Sequence, residues 1–207
     1  MKKILLLIAL FSFNIFAFDE GIDYTVLDKP VKTQNINKIE VKEMFWYYCP
    51  HCFSLEPYLK KWLKTIDSTK IDFIQQPAVP SSRWENGAIF FFVLEKLNIL
   101  DELHTPLFEA IHIHKLKLNS KKSFINWVLK ASNNKNITKE KIEKIFKSFS
   151  IKNKLNQARK YSKDYQLSGV PAVIVNGKYL TSVSQAGGYK QLFKLIDFLI
   201  KKEQNNQ

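Results

Sequence analysis

The chain contains two cysteines, Cys49 and Cys52, separated only by Pro50 and His51. If a helix begins here, the Cys49 thiol faces unpaired backbone N–H groups and the positive end of the helix dipole, and both stabilise a thiolate. His51 can add a hydrogen bond or a positive charge. We therefore predict that the pKa of Cys49 lies well below the value of about 8.5 for a free thiol. A disulfide between the two cysteines would then be readily donated, with Cys52 as the less exposed resolving thiol.

The cysteine pair could instead stabilise the fold or bind a metal. A structural disulfide across so small a loop would remove little chain entropy from the unfolded state. A Cys₂His₂ zinc site could be completed by His112 and His114, but these lie only two positions apart, and on a helix they would point to different faces. We therefore expect no metal site, and we expect His104, His112 and His114 to be ordinary surface or half-buried residues.

A strand and a helix must position the cysteines. The segment Lys38–Tyr48 alternates and then becomes continuously aromatic, which is typical of a strand buried on both faces. Apolar residues recur at helical spacing over Phe53–Ile66, and Pro50 is favourable at a first helical position. Lys70–Gln75 predicts a second strand, so the unit is strand–helix–strand with a right-handed crossover.

The rest of the chain divides into a helical block and a hairpin. Apolar residues at helical spacing predict four or five short helices, without strands, over Trp84–Tyr165. Two further strands, Pro171–Val175 and Lys178–Thr181, are joined by Asn176 and Gly177, a strong two-residue turn signal. A last helix follows. This order predicts an α/β protein into which a helical subdomain is inserted.

The composition excludes several classes of protein and makes the charge a local feature. Hydrophobic residues form 45% of the 207 residues, with 16 Phe and 4 Trp, which excludes wholesale disorder, and two cysteines exclude a disulfide-stapled miniprotein. The formal net charge is +13, and residues 115–163 alone contain 14 Lys and one Arg against two Glu. We expect a solvated helical face there and no nucleic-acid binding. Attraction to anionic lipid or acidic polypeptides is the alternative, and salt should weaken it.

The first 17 residues have the pattern of a secretory signal peptide. Lys2 and Lys3 precede the apolar stretch Ile4–Phe13, and Ala17 offers a small residue at a cleavage point. An uncleaved anchor is the alternative, but the apolar stretch falls short of the roughly 20 residues that a spanning helix needs. We therefore predict export into the periplasm, an oxidising compartment in which disulfides persist.

A downstream motif adds a family resemblance. GVPA at positions 169–172 and VNGKY at positions 175–179 follow the Cys-Pro-His-Cys motif and the helical block. With these motifs the chain resembles the DsbA family, the thioredoxin-fold disulfide oxidases of bacterial periplasms. The resemblance implies a thioredoxin-like domain formed by residues 18–80 and 166–207, with an inserted all-helical subdomain over residues 81–165.

The resemblance also implies a role for the Val170–Pro171 bond, which it suggests is cis. An X–Pro bond permits this at modest cost. The backbone N–H and C=O of Val170 would then be free to pair with an extended substrate as one added strand. On the sequence alone, Pro171 could equally be the first residue of a strand, a common position for proline.

Glu43, six residues before Cys49, matches an acid that family members bury beneath the disulfide. A carboxylate there could accept protons as the thiols ionise, and desolvation should raise its pKa. The alternative is that Glu43 faces solvent at a strand edge. Some family members pair this acid with a lysine on the next strand; this chain offers Gln75 or Gln76 as hydrogen-bond donors instead.

The function that the resemblance implies is oxidation of unfolded exported polypeptides through a mixed disulfide on Cys49. The redox-active Cys49–Cys52 disulfide would be the only cofactor, a membrane quinone reductase of the DsbB type would reoxidise it, and we expect a monomer. Tyr47, Tyr48, Phe53 and the residues near Gly169 should surround the cysteines with apolar surface that accepts many sequences. Core packing is the alternative for any one of these aromatic residues, and it is the more frequent role. The alternatives are a reductase or isomerase of the same fold and, more remotely, a periplasmic metal-binding protein.

Overall fold

The computed structural model describes residues 18–205, and the predicted signal peptide over residues 1–17 lies outside the described residues. The strands are β1 (Thr25–Val26), β2 (Ile39–Phe45), β3 (Ile71–Pro77), β4 (Ala172–Val175) and β5 (Tyr179–Ser182). The helices are α1 (Pro50–Leu63), α2 (Glu85–Lys96), α3 (Leu100–His112), α4 (Lys121–Ala131), α5 (Lys139–Phe146), α6 (Phe149–Asp164) and α7 (Tyr189–Gln204), with a 3₁₀ turn at Ser82–Trp84.

The five strands form one mixed sheet in the order β1-β5-β4-β2-β3. β2 pairs in parallel with β3 and antiparallel with β4, and α1 connects β2 to β3 as the predicted strand–helix–strand unit requires. The register places Gln75 of β3 and Val173 of β4 on either side of Glu43. Since paired residues point to the same face of a sheet, Gln75 is held beside Glu43.

The strands differ in extent from the sequence prediction. β2 ends at Phe45 and not at Tyr48, because the chain turns there and the N–H of Cys49 donates to the carbonyl of Trp46 at 3.0 Å. β3 continues to Pro77. The sequence pattern does not predict β1 at all, because its two residues show no periodicity and it pairs only with β5.

The helices α2–α6 lie between β3 and β4 and share a core with the segment that carries the cysteines. Phe45, Tyr47 and Cys52 belong to the same buried cluster as Phe90 and Phe108 of the helical block. The helical block therefore packs directly against the cysteine-bearing segment. This is the thioredoxin-like fold with an inserted helical subdomain that the resemblance implies, whereas the domain boundaries themselves stay a prediction.

The turn between β4 and β5 has the geometry that its sequence predicts. Asn176 and Gly177 have positive φ angles of 51° and 65°, as a two-residue type I′ turn requires. A Cβ on Gly177 would lie 1.9 Å from the carbonyl oxygen of Val31, so only glycine fits. The turn fixes the register of β4, which follows Pro171 directly.

The basic segment lies on the surface of the helical block. Most lysines of residues 115–163 are exposed, which is the solvated face expected for them. Lys154 pairs with Glu95 at 2.6 Å and Arg159 with Glu85 at 2.8 Å. Across residues 18–205, no helix combines the length and the apolar content that crossing a bilayer would take.

Candidate active site

Cys49 is the N-cap of α1, and Pro50 occupies its first turn. The backbone N–H of Cys52 donates to the Cys49 sulfur at 3.4 Å. Both cysteines are free thiols; Cys49 is 8% exposed and Cys52 is fully buried. The helix therefore presents one sulfur at its N-terminus, at the edge of solvent, and holds the other within the core.

The environments of the two thiols drive their pKa values apart. The pKa of Cys49 is lowered to about 6, first because the Cys52 thiol donates to its sulfur, and further because of the backbone N–H groups of Cys52 and His51 and the charge of His51. Burial of Cys49 opposes this effect only in part. Burial raises the pKa of Cys52 well above its ordinary value, and the negative charges of Cys49 and Glu43 add to the rise. At neutral pH, Cys49 is thus a thiolate and Cys52 a thiol.

Alkylation of Cys49 in the reduced protein should follow a single titration with its midpoint near pH 6, because only the thiolate reacts. The measurement is the rate of iodoacetamide modification between pH 4 and 9. His51→Ala should move the midpoint upward by roughly half a pH unit, since it removes the charge but keeps the backbone donor. Cys52→Ala should move it further, because the Cys52 thiol is the largest stabilising partner. A midpoint above pH 8 in the folded protein would refute this description.

The loop before β4 lies against the Cys49 sulfur. The Val170–Pro171 peptide bond is cis, as the resemblance implies, and the Cys49 sulfur lies 3.4 Å from the Val170 carbonyl oxygen. A cleft of about 530 Å³ opens beside this contact. It is lined by His51, residues 167–172, residues 180–185 and Tyr189. The cleft thus joins the reacting sulfur to an exposed, mixed polar and apolar surface.

Glu43 is buried beneath the cysteines, with 1% of its surface exposed. Its pKa is raised to about 8, first by burial, then by the negative charge of Glu56 and, to a smaller extent, by that of Cys49. The Gln75 amide donates to Glu43 Oε2 at 3.0 Å and lowers that pKa in part. Of the two donors that the sequence offers, only Gln75 serves, because Gln76 donates to the Pro77 carbonyl.

Two predictions about the surroundings of the site are wrong. His104 is 6% exposed and not a surface or half-buried residue, because it lies on the apolar face of α3 with Leu107 and Phe108. Its helical spacing from those residues was the available signal. Tyr47 is fully buried, so it forms core and not surface around the cysteines, whereas Tyr48 and Phe53 are half-buried.

The remaining histidines of α3 and its C-terminal end do not converge on the thiols as ligands. His112 is half-buried, its Nε2 lies 2.8 Å from the Tyr47 carbonyl oxygen, and its ring stacks on Phe53. His114 is exposed. Among the side chains of residues 18–205, no three His, Cys, Asp or Glu are arranged to hold a metal ion.

Comparison with known proteins identifies the family. A family model described as DSBA-like thioredoxin domain matches residues 70–197. Thiol:disulfide interchange protein DsbA of Pseudomonas aeruginosa PAO1 is 35% identical over 186 residues, which is 90% of this chain and 86% of that protein. The chain belongs to the DsbA family. DsbA of Pseudomonas syringae pv. tomato DC3000 is 31% identical over 98% of this chain and 96% of its own.

Solved structures of DsbA proteins have the same fold. The crystal structure of Pseudomonas aeruginosa DsbA matches with a TM-score of 0.84 at 34% identity, over 91% of this chain and 96% of that one. NmDsbA1 of Neisseria meningitidis matches with a TM-score of 0.77 at 26% identity, over 91% of this chain and 95% of that one. The chain is therefore a thiol:disulfide oxidoreductase of DsbA type, and neither the isomerase nor the metal-binding alternative is favoured. The family model begins at residue 70, so the choice of Cys49 and Cys52 as the reacting pair rests on their geometry.

Proposed function

We propose that this DsbA-family protein oxidises exported polypeptides by donating the Cys49–Cys52 disulfide through a mixed disulfide on Cys49. The observation that carries the proposal is the asymmetry of the two thiols. Cys49 lies at the helix N-terminus with a pKa of about 6, whereas Cys52 is buried with a raised pKa. An oxidant is a protein whose reduced form is relatively stabilised, and a stabilised Cys49 thiolate has that effect.

In the first step, a substrate thiolate attacks the Cys49 sulfur and the Cys49–Cys52 bond breaks. A substrate–Cys49 disulfide forms, and Cys52 departs with the electron pair as a thiolate. Because burial disfavours that thiolate, Cys52 must take up a proton. Glu43, whose pKa of about 8 keeps it protonated at neutral pH, lies close enough to interact with Cys52 by charge and is the proposed proton donor.

In the second step, another substrate thiolate attacks the substrate sulfur of the mixed disulfide. The substrate disulfide forms, and Cys49 departs as a thiolate that needs no proton at neutral pH. Two electrons thereby pass from the substrate dithiol to Cys49 and Cys52. The balance closes with the cysteine pair as the only redox group, so the proposal includes no other cofactor and no metal.

Substrate is proposed to bind at Val170 and in the adjoining cleft. The Val170 carbonyl oxygen lies 3.4 Å from the Cys49 sulfur, so the backbone of this loop faces the reacting atom. An extended polypeptide that pairs with this backbone as an added strand would bring its own thiol to Cys49. Backbone pairing and a mixed cleft demand no single sequence, which suits a catalyst for many unfolded chains.

The partners and location of the protein complete the proposal. The membership of the DsbA family and the predicted signal peptide over residues 1–17 support action in the periplasm on exported polypeptides with free thiols. We propose that a DsbB-type membrane quinone reductase reoxidises the protein, because the reduced Cys49 and Cys52 must lose two electrons before the next cycle. The protein is proposed to act as a monomer without nucleic acid.

The test is disulfide transfer in purified components. Oxidised protein mixed with an equimolar reduced, unfolded two-cysteine polypeptide should form one substrate disulfide for each Cys49–Cys52 disulfide consumed, as counted by thiol titration and mass spectrometry. The matched control is the same protein reduced beforehand, which should transfer nothing. Failure of the oxidised, folded protein to oxidise the polypeptide would reject the proposed function.

A further inference from the structure

Beneath the cysteines lies a buried polar cluster, which we define as Glu43, Glu56, Gln75, His104 and Tyr47. Its members come from β2 and the segment after it, from α1, from β3 and, in the case of His104, from α3 of the inserted helices. Glu43, Glu56, His104 and Tyr47 are all buried. Such a cluster in a protein interior is stable only when its hydrogen bonds and charges are matched.

The distances within the cluster restrict where its hydrogens can lie. The Gln75 amide nitrogen carries two hydrogens, yet Glu43 Oε2, Glu56 Oε1 and His104 Nε2 lie 3.0, 3.2 and 3.2 Å from it. His104 Nε2 also lies 3.3 Å from Glu56 Oε1. When His104 Nε2 carries a hydrogen directed at Glu56, Gln75 can give one hydrogen to Glu43 Oε2 and one to Glu56 Oε1, whereas the buried Glu43 Oε1 has no hydrogen-bond partner among the described residues.

The ring of His104 is held in place on its other sides. Its Nδ1 lies 2.8 Å from the Tyr47 hydroxyl oxygen. Phe45, Phe91 and Phe108 contact the ring edge to face, with centroids 5.3, 5.9 and 5.2 Å away. A ring fixed by three aromatic neighbours and a hydroxyl keeps Nε2 aimed at Glu56.

Charge makes His104 the distinctive member of the cluster. The cluster holds two carboxyl groups and contains no lysine or arginine. Lys42, next to Glu43 in the sequence, pairs instead with Glu40 at 2.7 Å on the other face of β2. Glu56 Oε1 lies 3.3 Å from His104 Nε2, and this contact is an ion pair when the imidazole carries a second proton. A protonated His104 is therefore the cation that this cluster can provide.

We propose that His104 is a positioning residue for thiol–disulfide exchange. As an imidazolium, His104 holds Glu56 in place, and through Gln75 it compensates the negative charge that develops on Glu43. The inference rests on the proposed function. When Glu43 gives its proton to the Cys52 thiolate, the negative charge passes from the sulfur to the Glu43 carboxylate, and no other proton is needed. His104 already balances Glu56, so the new charge on Glu43 does not face an uncompensated carboxylate.

An imidazolium at His104 changes the redox behaviour of the protein in a defined direction. The groups that face His104 and can carry charge are Glu56 on α1, Glu43 on β2 and, beyond them, the two cysteines; the Tyr47 hydroxyl is neutral at physiological pH. Once Glu43 has regained a proton from water, the reduced protein carries one more negative charge than the oxidised protein, on Cys49. An imidazolium beneath it stabilises the reduced form and makes the protein a stronger oxidant.

The test compares His104→Gln with the unaltered protein in the pH dependence of the equilibrium constant with glutathione, from pH 5 to 9. Near neutral pH, His104→Gln should be a weaker oxidant by roughly threefold to tenfold. The difference should shrink at alkaline pH, where an imidazole loses its charge. The matched control is His112→Gln, another imidazole on α3 that contacts no carboxylate, and it should stay within about twofold of the unaltered protein.

A folded His104→Gln variant with an unchanged pH profile would overturn the inference. Should that variant not fold, ¹⁵N NMR of the unaltered protein tests the same point. In the reduced protein at pH 7, both ring nitrogens of His104 should be protonated. A ring with one unprotonated nitrogen in the reduced protein would overturn the inference as well. In either case, disulfide transfer by the unaltered protein still tests the proposed function separately.

Discussion

Cys49→Ala is expected to lower the rate of disulfide transfer by roughly a thousandfold or more, because no other group can take the substrate sulfur. Cys52→Ala is expected to behave differently. It retains the thiolate at the helix N-terminus, which can attack a disulfide of an exported protein and expel one of its sulfurs as a thiolate. It has lost the Cys52 thiol that would attack Cys49 and release that protein again, so substrates should accumulate as mixed disulfides on Cys49. The two variants thus assign opposite roles to the two sulfurs.

The measurement is non-reducing electrophoresis of each variant recovered from a periplasm in which exported proteins are being oxidised. Cys52→Ala should yield several adducts that disappear on reduction, and Cys49→Ala, the matched control, should yield none. A folded Cys52→Ala variant without adducts would contradict the assignment of Cys49 as the attacked sulfur. Adducts formed by Cys49→Ala would contradict the assignment of Cys52 as the buried resolving thiol.

The reduced protein is expected to be more stable than the oxidised protein at pH 7, the reverse of the usual effect of a disulfide. The pKa of Cys49 is depressed in the folded state, from 9.0 to about 6. A group with a depressed pKa contributes stability that is fully present above its unfolded pKa and is lost as the pH falls through its folded pKa. The advantage should therefore be large above pH 7 and should decline through pH 6.

The expected size of this advantage is roughly 1 kcal/mol at pH 7, because pH 7 lies only about one unit above the folded pKa of Cys49 and solvent screening reduces the effect further. For a chain of this length, that corresponds to roughly 2–4 °C in melting temperature. Thermal unfolding of both redox forms between pH 4 and 8 measures it. The Cys49→Ala variant should show no dependence on reductant. A higher melting temperature for the oxidised form at pH 7 would contradict strong oxidant behaviour.

The sequence was sufficient for those parts of the fold and site that depend on local chemistry. Cys49 as an N-cap, Pro50 in the first turn and the turn at Asn176 and Gly177 each follow from the conformations that these residues favour. In each of these cases the deciding information lies within a few residues of the chain. The burial of Glu43 is instead implied by the resemblance to the DsbA family, because the strand pattern alone leaves a solvent-facing position open.

The buried cluster could not be predicted in this way, because its members are distant in sequence. Glu56, Gln75 and His104 are brought together only when α1, β3 and α3 have packed. The choice of Gln75 over Gln76 depends on the register of β3 against β2, and a slip of one residue would exchange them. His104 is polar in type, yet its packing among phenylalanines decides its burial.

The central claim is that the protein gives its disulfide away, and the equilibrium between the Cys49–Cys52 pair and glutathione tests it most directly. Oxidised and reduced protein are quantified by tryptophan fluorescence or thiol labelling across a range of glutathione redox ratios at pH 7. We predict that the pair is half-reduced only in a strongly oxidising glutathione buffer, at a reduction potential well above that of a thioredoxin. A reduction potential close to that of thioredoxin would contradict the claim and reverse the direction of catalysis.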